Sequence, residues 1–205
     1  MTETIKLSHP SLYICYGRPA SGKSTLIKYI IGHFMKENLT DLVYVQSGSH
    51  FNNFFQSFLS EKQVSPYNET KITKLMNLCA KKKQDNINFR VLFILDDCIG
   101  SAQWKSKVFL KLINQFRHYN ITLVIATQYC CAITPNIRSN CTLAFIFPSR
   151  QKNDIEALYQ SYGAGSFNSL QEFTKFLTSL DRYNCLVVDN SNYTNPIALF
   201  QSPLL

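Results

Sequence analysis

A chain of 205 residues with 45% hydrophobic side chains suits one α/β domain with a sizeable core, because folding at this size buries about 70% of the unfolded surface. Lys and Arg number 21 against 13 Asp and Glu, a formal charge of +8 that favours polyanionic partners and disfavours basic ones. With no apolar run of about 18 residues and a polar start, Met1-Thr2-Glu3-Thr4, the composition speaks against a membrane span and a signal peptide, and the expectation is a soluble, intracellular protein.

Leu12-Tyr13-Ile14-Cys15-Tyr16 is a short, β-prone apolar run that predicts a buried strand. It leads into Gly17-Arg18-Pro19-Ala20-Ser21-Gly22-Lys23-Ser24-Thr25, two glycines with four residues between them followed by Lys and Ser, the pattern of a phosphate-binding loop. A loop that wraps a triphosphate must aim several backbone N–H groups inward, and glycine tolerates that geometry at least cost. Gly22-Lys23-Ser24 would open a helix whose N-terminus carries partial positive charge. Lys23 is then placed to reach the β- and γ-phosphates of ATP, and Ser24 to ligate Mg²⁺. Leu26, Ile27, Ile30, Ile31 and Phe34 follow at helical spacing.

Leu42-Val43-Tyr44-Val45 predicts a second strand, with Gln46-Ser47-Gly48-Ser49 leaving its carboxyl end, the ligand-facing edge of open α/β sheets. From Phe51 to Asn88 the expectation is two helices, with Phe51, Phe54, Phe55 and Phe58 in the core and Lys81-Lys82-Lys83 at a solvated helix end. Val91-Leu92-Phe93-Ile94-Leu95-Asp96-Asp97 is an unbroken apolar strand closed by two carboxylates, a Walker B pattern. Asp96 is the candidate Mg²⁺ ligand, and Asp97 the residue to orient or deprotonate the attacking water. A helix is expected from Ser101 to Tyr119, with Trp104, Val108, Leu112 and Phe116 on one stripe and Arg117-His118 at its end. The strand Ile121 to Thr127 then aims the amide of Gln128 at the site, where it can bond both γ-phosphate and water.

Pro135-Asn136-Ile137-Arg138-Ser139-Asn140 leads into the strand Leu143 to Phe147 and then Pro148-Ser149-Arg150. A helix from about Asp154 to Tyr162, a capping box at Ser169-Leu170-Gln171-Glu172 and a terminal hairpin of Leu186–Val188 with Ile197–Phe200 complete the pattern. Seven cysteines at scattered positions lack the spacings of a zinc site or disulfide framework and read as reduced, mostly buried small hydrophobes.

The ordered set Gly-Arg-Pro-Ala-Ser-Gly-Lys-Ser, Leu-Asp-Asp, Arg-His, Ala-Thr-Gln and Pro-Asn-Ile-Arg-Ser-Asn resembles the FtsK/HerA superfamily of DNA-translocating ATPases. Within it, the chain is similar to the poxvirus-type genome-packaging ATPases of large DNA viruses and virophages, over roughly residues 11 to 200. The resemblance implies a RecA-like P-loop ATPase fold, a mostly parallel central sheet flanked by helices with a C-terminal β-hairpin, in a single domain spanning residues 1–205. It also implies a homo-oligomeric, hexameric ring that hydrolyses ATP with Mg²⁺ to drive double-stranded DNA into a preformed capsid, with the capsid or portal vertex as partner. The setting it implies is the host cytoplasm or viral factory, or the virion itself. ATP in that family lies between subunits, so a neighbour's arginine would stabilise the transferring phosphoryl group. Arg117 is the first candidate, followed by Arg138 and Arg150. The second Walker B acid is aspartate here, one methylene shorter than the glutamate common across the superfamily. Two other readings share the loop: a small nucleoside or nucleotide kinase, against which the lack of an arginine-rich lid speaks, and a slow nucleotide-switched DNA-binding protein.

Overall fold

Apolar runs bounded by turn-forming residues supply the strands, and amphipathic segments between them supply the helices. The computed structural model describes residues 5–98, 100, 102–192, 194 and 196–201, so the start Met1–Thr4 and Ser101, the expected beginning of a helix, lie outside the described residues. In chain order the elements are β1 (Leu12–Tyr16), α1 (Lys23–Lys36), β2 (Leu42–Ser47), β3 (Val64–Ser65), α2 (Glu69–Gln84), β4 (Val91–Asp96) and α3 (Lys107–Gln115). They continue with β5 (Ile121–Thr127), α4 (Pro135–Ser139), β6 (Leu143–Ile146), α5 (Lys152–Leu158), α6 (Leu170–Ser179), β7 (Asn184–Asp189) and β8 (Ile197–Gln201). The strands are hydrogen-bonded in the order β3-β2-β4-β5-β1-β6-β7-β8. Pairing is parallel for β2 with β3 and β4 and for β1 with β6, whereas β7 runs antiparallel to both β6 and β8. The fold is therefore α/β with a mostly parallel eight-stranded sheet and a C-terminal β-hairpin, as expected. No helix among the described residues is long and apolar enough to cross a membrane.

The chain forms two compact units, each discontinuous in sequence. The first is built from the described residues up to Lys6, Leu12–Tyr29 and the described residues from Ala126 onward, the second from Leu7–Ser11 and Ile30–Ile125. In the first unit, β1 and β6 are buried along their whole length and pair from Tyr13 opposite Leu143 to Tyr16 opposite Ile146. Burial on both faces is why these strands are apolar without alternation. The Tyr16 and Tyr162 hydroxyls meet at 2.8 Å. The helix expected from Asp154 to Tyr162 starts two residues earlier and widens into a π-turn over Tyr159–Gly163, where a Cβ on Gly163 would lie 2.9 Å from the Phe173 ring. Ser169 caps α6 by accepting the Glu172 N–H at 3.1 Å, while the Glu172 carboxylate takes the N–H of Asn168, one residue before the cap. The capping box is thus displaced by one position.

In the second unit, β4 is buried throughout and pairs with β2 from Leu42 opposite Val91 to Ser47 opposite Asp96. Between Phe51 and Asn88 there is one helix, not two. Three short 3₁₀ turns and β3 precede α2, because Asn53 adopts a left-handed φ of 58° and Ser60 and Pro66 interrupt any longer helical run. Of the four phenylalanines assigned to the core, Phe55 is buried and Phe54 and Phe58 pack edge-on around it, but Phe51 is 76% exposed. Lys81-Lys82-Lys83 form the last turn of α2 as expected. The helix expected from Ser101 begins only at Lys107, where Ser106 accepts the Phe109 N–H at 3.1 Å. Trp104, Leu112 and Phe116 of the expected stripe are buried, but Trp104 sits in a separate 3₁₀ turn at Gln103–Lys105, Val108 is only half-buried, and Phe109 and Ile113 complete the buried face of α3. The cysteines are free, and Cys15, Cys79, Cys130, Cys141 and Cys185 are buried while Cys131 is exposed.

His9 of the second unit makes two side-chain bonds. Its Nε2 lies 3.0 Å from Asn120 Oδ1, and its Nδ1 lies 2.7 Å from the Thr122 hydroxyl. Because the Asn120 amide nitrogen is spent on Asn88 and Phe89, its oxygen faces the ring, so Nε2–H donates and Nδ1 accepts in a neutral imidazole. Burial lowers the ring's pKa from the ordinary 6.5, the Arg90 charge adding to that and the Asn120 bond and Asp41 opposing it. The unfolded chain therefore binds the proton more readily, and the stability His9 provides is present above pH 6.5 and lost as the pH falls through the lower folded value. Thermal melts of wild type and His9→Gln between pH 7.5 and 5 should show a shallower acid-side decline in the variant. Parallel curves would remove His9 from the pH response.

Candidate nucleotide-binding site

The phosphate-loop sequence occupies the carboxyl end of β1 in the first unit. Gly17 donates its N–H to the Thr127 carbonyl at 3.1 Å, which ties the loop's entry to the end of β5. A Cβ at Gly17 would fall 2.5 Å from Ser21 Oγ and 2.9 Å from Phe147 Cβ, so the first glycine is required by contact. The second is required by conformation, since Gly22 has φ +115°. Pro19 and Ala20 make the bend between them, Ala20 in the left-handed region at φ 60°. α1 then opens at Lys23 with Ser24 and Thr25 in its first turn, where the N–H groups have no intrahelical acceptor.

Lys23 is 5% exposed, and its ammonium donates to the carbonyls of Gly17 at 2.6 Å and Arg18 at 3.1 Å. It is held across the inside of its own loop. The Ser21 hydroxyl, buried within the same loop, has no hydrogen-bond partner. An orphaned buried hydroxyl, a buried ammonium and first-turn N–H groups form a donor-rich pocket that fits phosphate oxygens.

A second element braces this loop and was not singled out in the sequence. Arg182 Nε donates to the Ala20 carbonyl at 3.0 Å, Tyr183 donates its N–H to Ser21 O at 3.3 Å, and the Tyr183 ring lies where a Gly22 side chain would be. Tyr183 holds φ at 71°, a costly conformation for an aromatic residue, and the Arg182 guanidinium stacks over its ring at 4.8 Å. The only local signal is position, immediately before β7.

Gln128 is half-buried and lines a small space with Gly17, Arg18, Cys130 and Asp154. Asp154 is itself buried. Burial lifts its carboxyl above the ordinary carboxylate range, opposed by the N–H groups of Cys130 and Cys131 and by the Arg18 charge. Arg138 turns inward to the Cys130 and Ile133 carbonyls. Arg150 is exposed in the connection between β6 and α5 and borders an open groove between α5 and α6, beside Lys152 and Lys175.

Asp96, Asp97 and Arg117 belong to the second unit. Asp96 is 3% exposed at the end of β4 and accepts the Ser47 hydroxyl on Oδ2 at 3.0 Å, while its carbonyl accepts the Gly48 N–H at 3.0 Å. Ser47 is a partner that sequence reasoning placed at the right edge without assigning it a role. Asp97 is exposed and follows the strand with φ 45°. Gly48 must be glycine, because a Cβ there would be 2.4 Å from the Asp97 carbonyl oxygen. Burial, with the adjacent Asp96 and Asp97 carboxylates, pushes the Cys98 thiol up to about 12, and its Sγ meets the Gln46 carbonyl at 3.2 Å. Arg117 stacks on Phe116 at 4.5 Å and lines a surface pocket with Asn88, Phe89 and Asn120, beside the amino ends of β4 and β5 and so at the opposite end of β4 from Asp96. Among the described residues no group of three or more His, Cys, Asp or Glu could hold a metal ion. Mg²⁺ bound with a nucleotide needs only one or two protein oxygens, and Ser24 and Asp96 offer that chemistry.

The sequence matches the family model described as Poxvirus A32 protein over residues 13–198. It is 28% identical over 203 residues to uncharacterized protein 075L of Invertebrate iridescent virus 6, covering 90% of this chain and 72% of that protein. It is also 28% identical over 188 residues to uncharacterized protein 015R of Frog virus 3 (isolate Goorha), covering 89% of this chain but only 57% of that one. The solved structure of the genome packaging NTPase B204 from Sulfolobus turreted icosahedral virus 2, in complex with ATP-gammaS, has a TM-score of 0.68 at 19% identity, over 96% of this chain and 98% of that chain. At that identity the likeness is one of fold.

Proposed function

Because the chain belongs to the Poxvirus A32 protein family, we propose that it is a Mg²⁺-dependent ATP hydrolase that drives double-stranded viral DNA into a preformed capsid, with residues 1–205 acting as one ATPase domain. The observation that carries the reading is the loop interior, where the buried Lys23 ammonium spans two loop carbonyls beside the unpartnered Ser21 hydroxyl. Both are donors that a β,γ-phosphate would engage. The B204 packaging NTPase, solved with ATP-gammaS, shares this fold.

In this reading Gly17 to Thr25 bind the phosphates, and Ser24 and Asp96 would hold Mg²⁺, which when bound supplies charge neutralisation at the β,γ-bridge. Asp97 orients the attacking water or takes its proton, and Gln128 bonds that water and the γ-phosphate. Ser47 fixes the Asp96 carboxylate by its 3.0 Å bond. Arg117, at the opposite end of β4 from Asp96, is suited to act on a neighbouring copy's nucleotide, and Arg150 is the exposed second choice. Arg138 is engaged with its own loop. A trans-acting arginine requires assembly, proposed as a hexameric ring, with DNA and a capsid or portal vertex as partners. The protein would work in the host cytoplasm or viral factory, or associated with the virion.

Steady-state ATPase activity, measured with and without linear double-stranded DNA across protein concentrations, tests this. Specific activity should rise cooperatively with concentration and increase with DNA. Activity linear in protein, indifferent to DNA and dependent on a small phosphoryl acceptor would replace the motor with a kinase.

A further inference from the structure

In the first unit the turn after Gln128 is gripped on both sides of one residue. Cys130 donates its N–H to Asp154 Oδ1 at 3.1 Å, and its carbonyl accepts from Arg138 Nη1 at 3.2 Å. The same Nη1 donates to the Ile133 carbonyl at 2.8 Å, which closes the 3₁₀ turn Cys130–Ala132 from beneath. Asp154 is 6% exposed in the first turn of α5, and the N–H of Cys131 also faces its carboxylate. The charge opposite it is Arg18, in the phosphate loop, and Gln128 lines the same small space.

A carboxylate taken out of water is costly unless its oxygens are bonded and a counter-charge faces it. Here the bonds go to the turn that carries Gln128, and the counter-charge comes from the loop that would carry the nucleotide. We propose that Asp154 and Arg138 are a positioning pair: together they fix the peptide of Cys130, and with it the placement of Gln128, in a space that Arg18 of the phosphate loop also lines. Fixing the N–H and the carbonyl of one residue removes the rotations by which a turn two residues beyond a strand end would let the amide drift. Small displacements of a group that orients water are amplified in rate. Arg138 is thereby assigned to its own subunit's site. The consequence for Gln128 rests on the ATP-hydrolysis reading; the clamp itself does not.

The experiment compares Asp154→Ala, Asp154→Asn, Arg138→Ala and the double alanine variant. Asp154→Ala should lower kcat roughly 10- to 100-fold while the affinity for a fluorescent ATP analogue stays within about threefold. Asp154→Asn keeps an acceptor oxygen for the Cys130 N–H and should recover most of that loss. The double variant should be no worse than the weaker single, because both side chains hold one peptide. Wild-type kcat in Asp154→Ala, or kcat, affinity and melting temperature falling together in both the Ala and Asn variants, would overturn the proposal. Amide exchange at Cys130 and Cys131 is read alongside: it should quicken about tenfold or more in Asp154→Ala, and unchanged exchange removes the clamp. A wild-type protein without ATPase activity would instead defeat the hydrolysis reading, with the exchange result still deciding the clamp.

Discussion

Lys23→Ala should reduce ATP hydrolysis to background and weaken nucleotide binding, with the protein still folded by circular dichroism. The Lys23 ammonium is buried and held by two carbonyls of its own loop, so the alanine variant loses hydrogen bonds worth about 1.5–3 kcal/mol each when charge-assisted. With nucleotide bound, the same ammonium would neutralise charge growing on the β,γ-oxygens, and removing one such donor costs about 10²–10³ in rate. Gly17, Gly22 and the Arg182–Tyr183 brace remain in place, so the loop keeps its shape. Titration with a fluorescent ATP analogue and a phosphate-release assay read the two effects separately. Turnover at the wild-type rate in Lys23→Ala would remove ATP hydrolysis at this loop.

Asp97→Asn should bind ATP with near wild-type affinity and lose about 10²–10⁴ in turnover, the range general-base catalysis contributes. The backbone explains why this substitution isolates the charge. Asp97 sits at φ 45°, a region in which Asp and Asn are several-fold enriched, so asparagine keeps the turn that a longer or branched side chain would strain. The same constraint gives a physical reason for aspartate rather than the longer glutamate at this position. Gly48, pressed against the Asp97 carbonyl, belongs to that constraint. Single-turnover measurements with pre-bound ATP distinguish the outcomes, and normal hydrolysis in Asp97→Asn would take the water-activating role away from Asp97.

What could be read from the sequence was what depends on local pattern. The strands β1, β4, β5 and β6 are apolar because both faces are covered, and the Gly-x-x-x-x-Gly-Lys-Ser loop between β1 and α1 is dictated by close approach and φ. The segment from Phe51 to Pro66 was misjudged because its aromatics recur at helical spacing while Asn53 and Pro66 break the backbone. Leu112 and Phe116 lie on the buried face of α3 as expected, but the helix is broken by a 3₁₀ turn ahead of Ser106, which leaves Val108 half-buried and brings Phe109 and Ile113 to the core. Ser47, Arg182, Tyr183 and Asp154 carry no local signature. Each acts through a partner distant in sequence: Asp96 for Ser47, the phosphate loop for Arg182 and Tyr183, and the turn after Gln128 for Asp154.

β3, at one end of the strand order, is only two residues long and pairs with β2 through Val64 and Ser65 alone. A strand that short exposes too few backbone donors and acceptors to template another chain. That border therefore offers little backbone for a second copy to pair with, so contacts made there fall chiefly to side chains, which charge and salt can tune and which do not propagate as a growing ribbon.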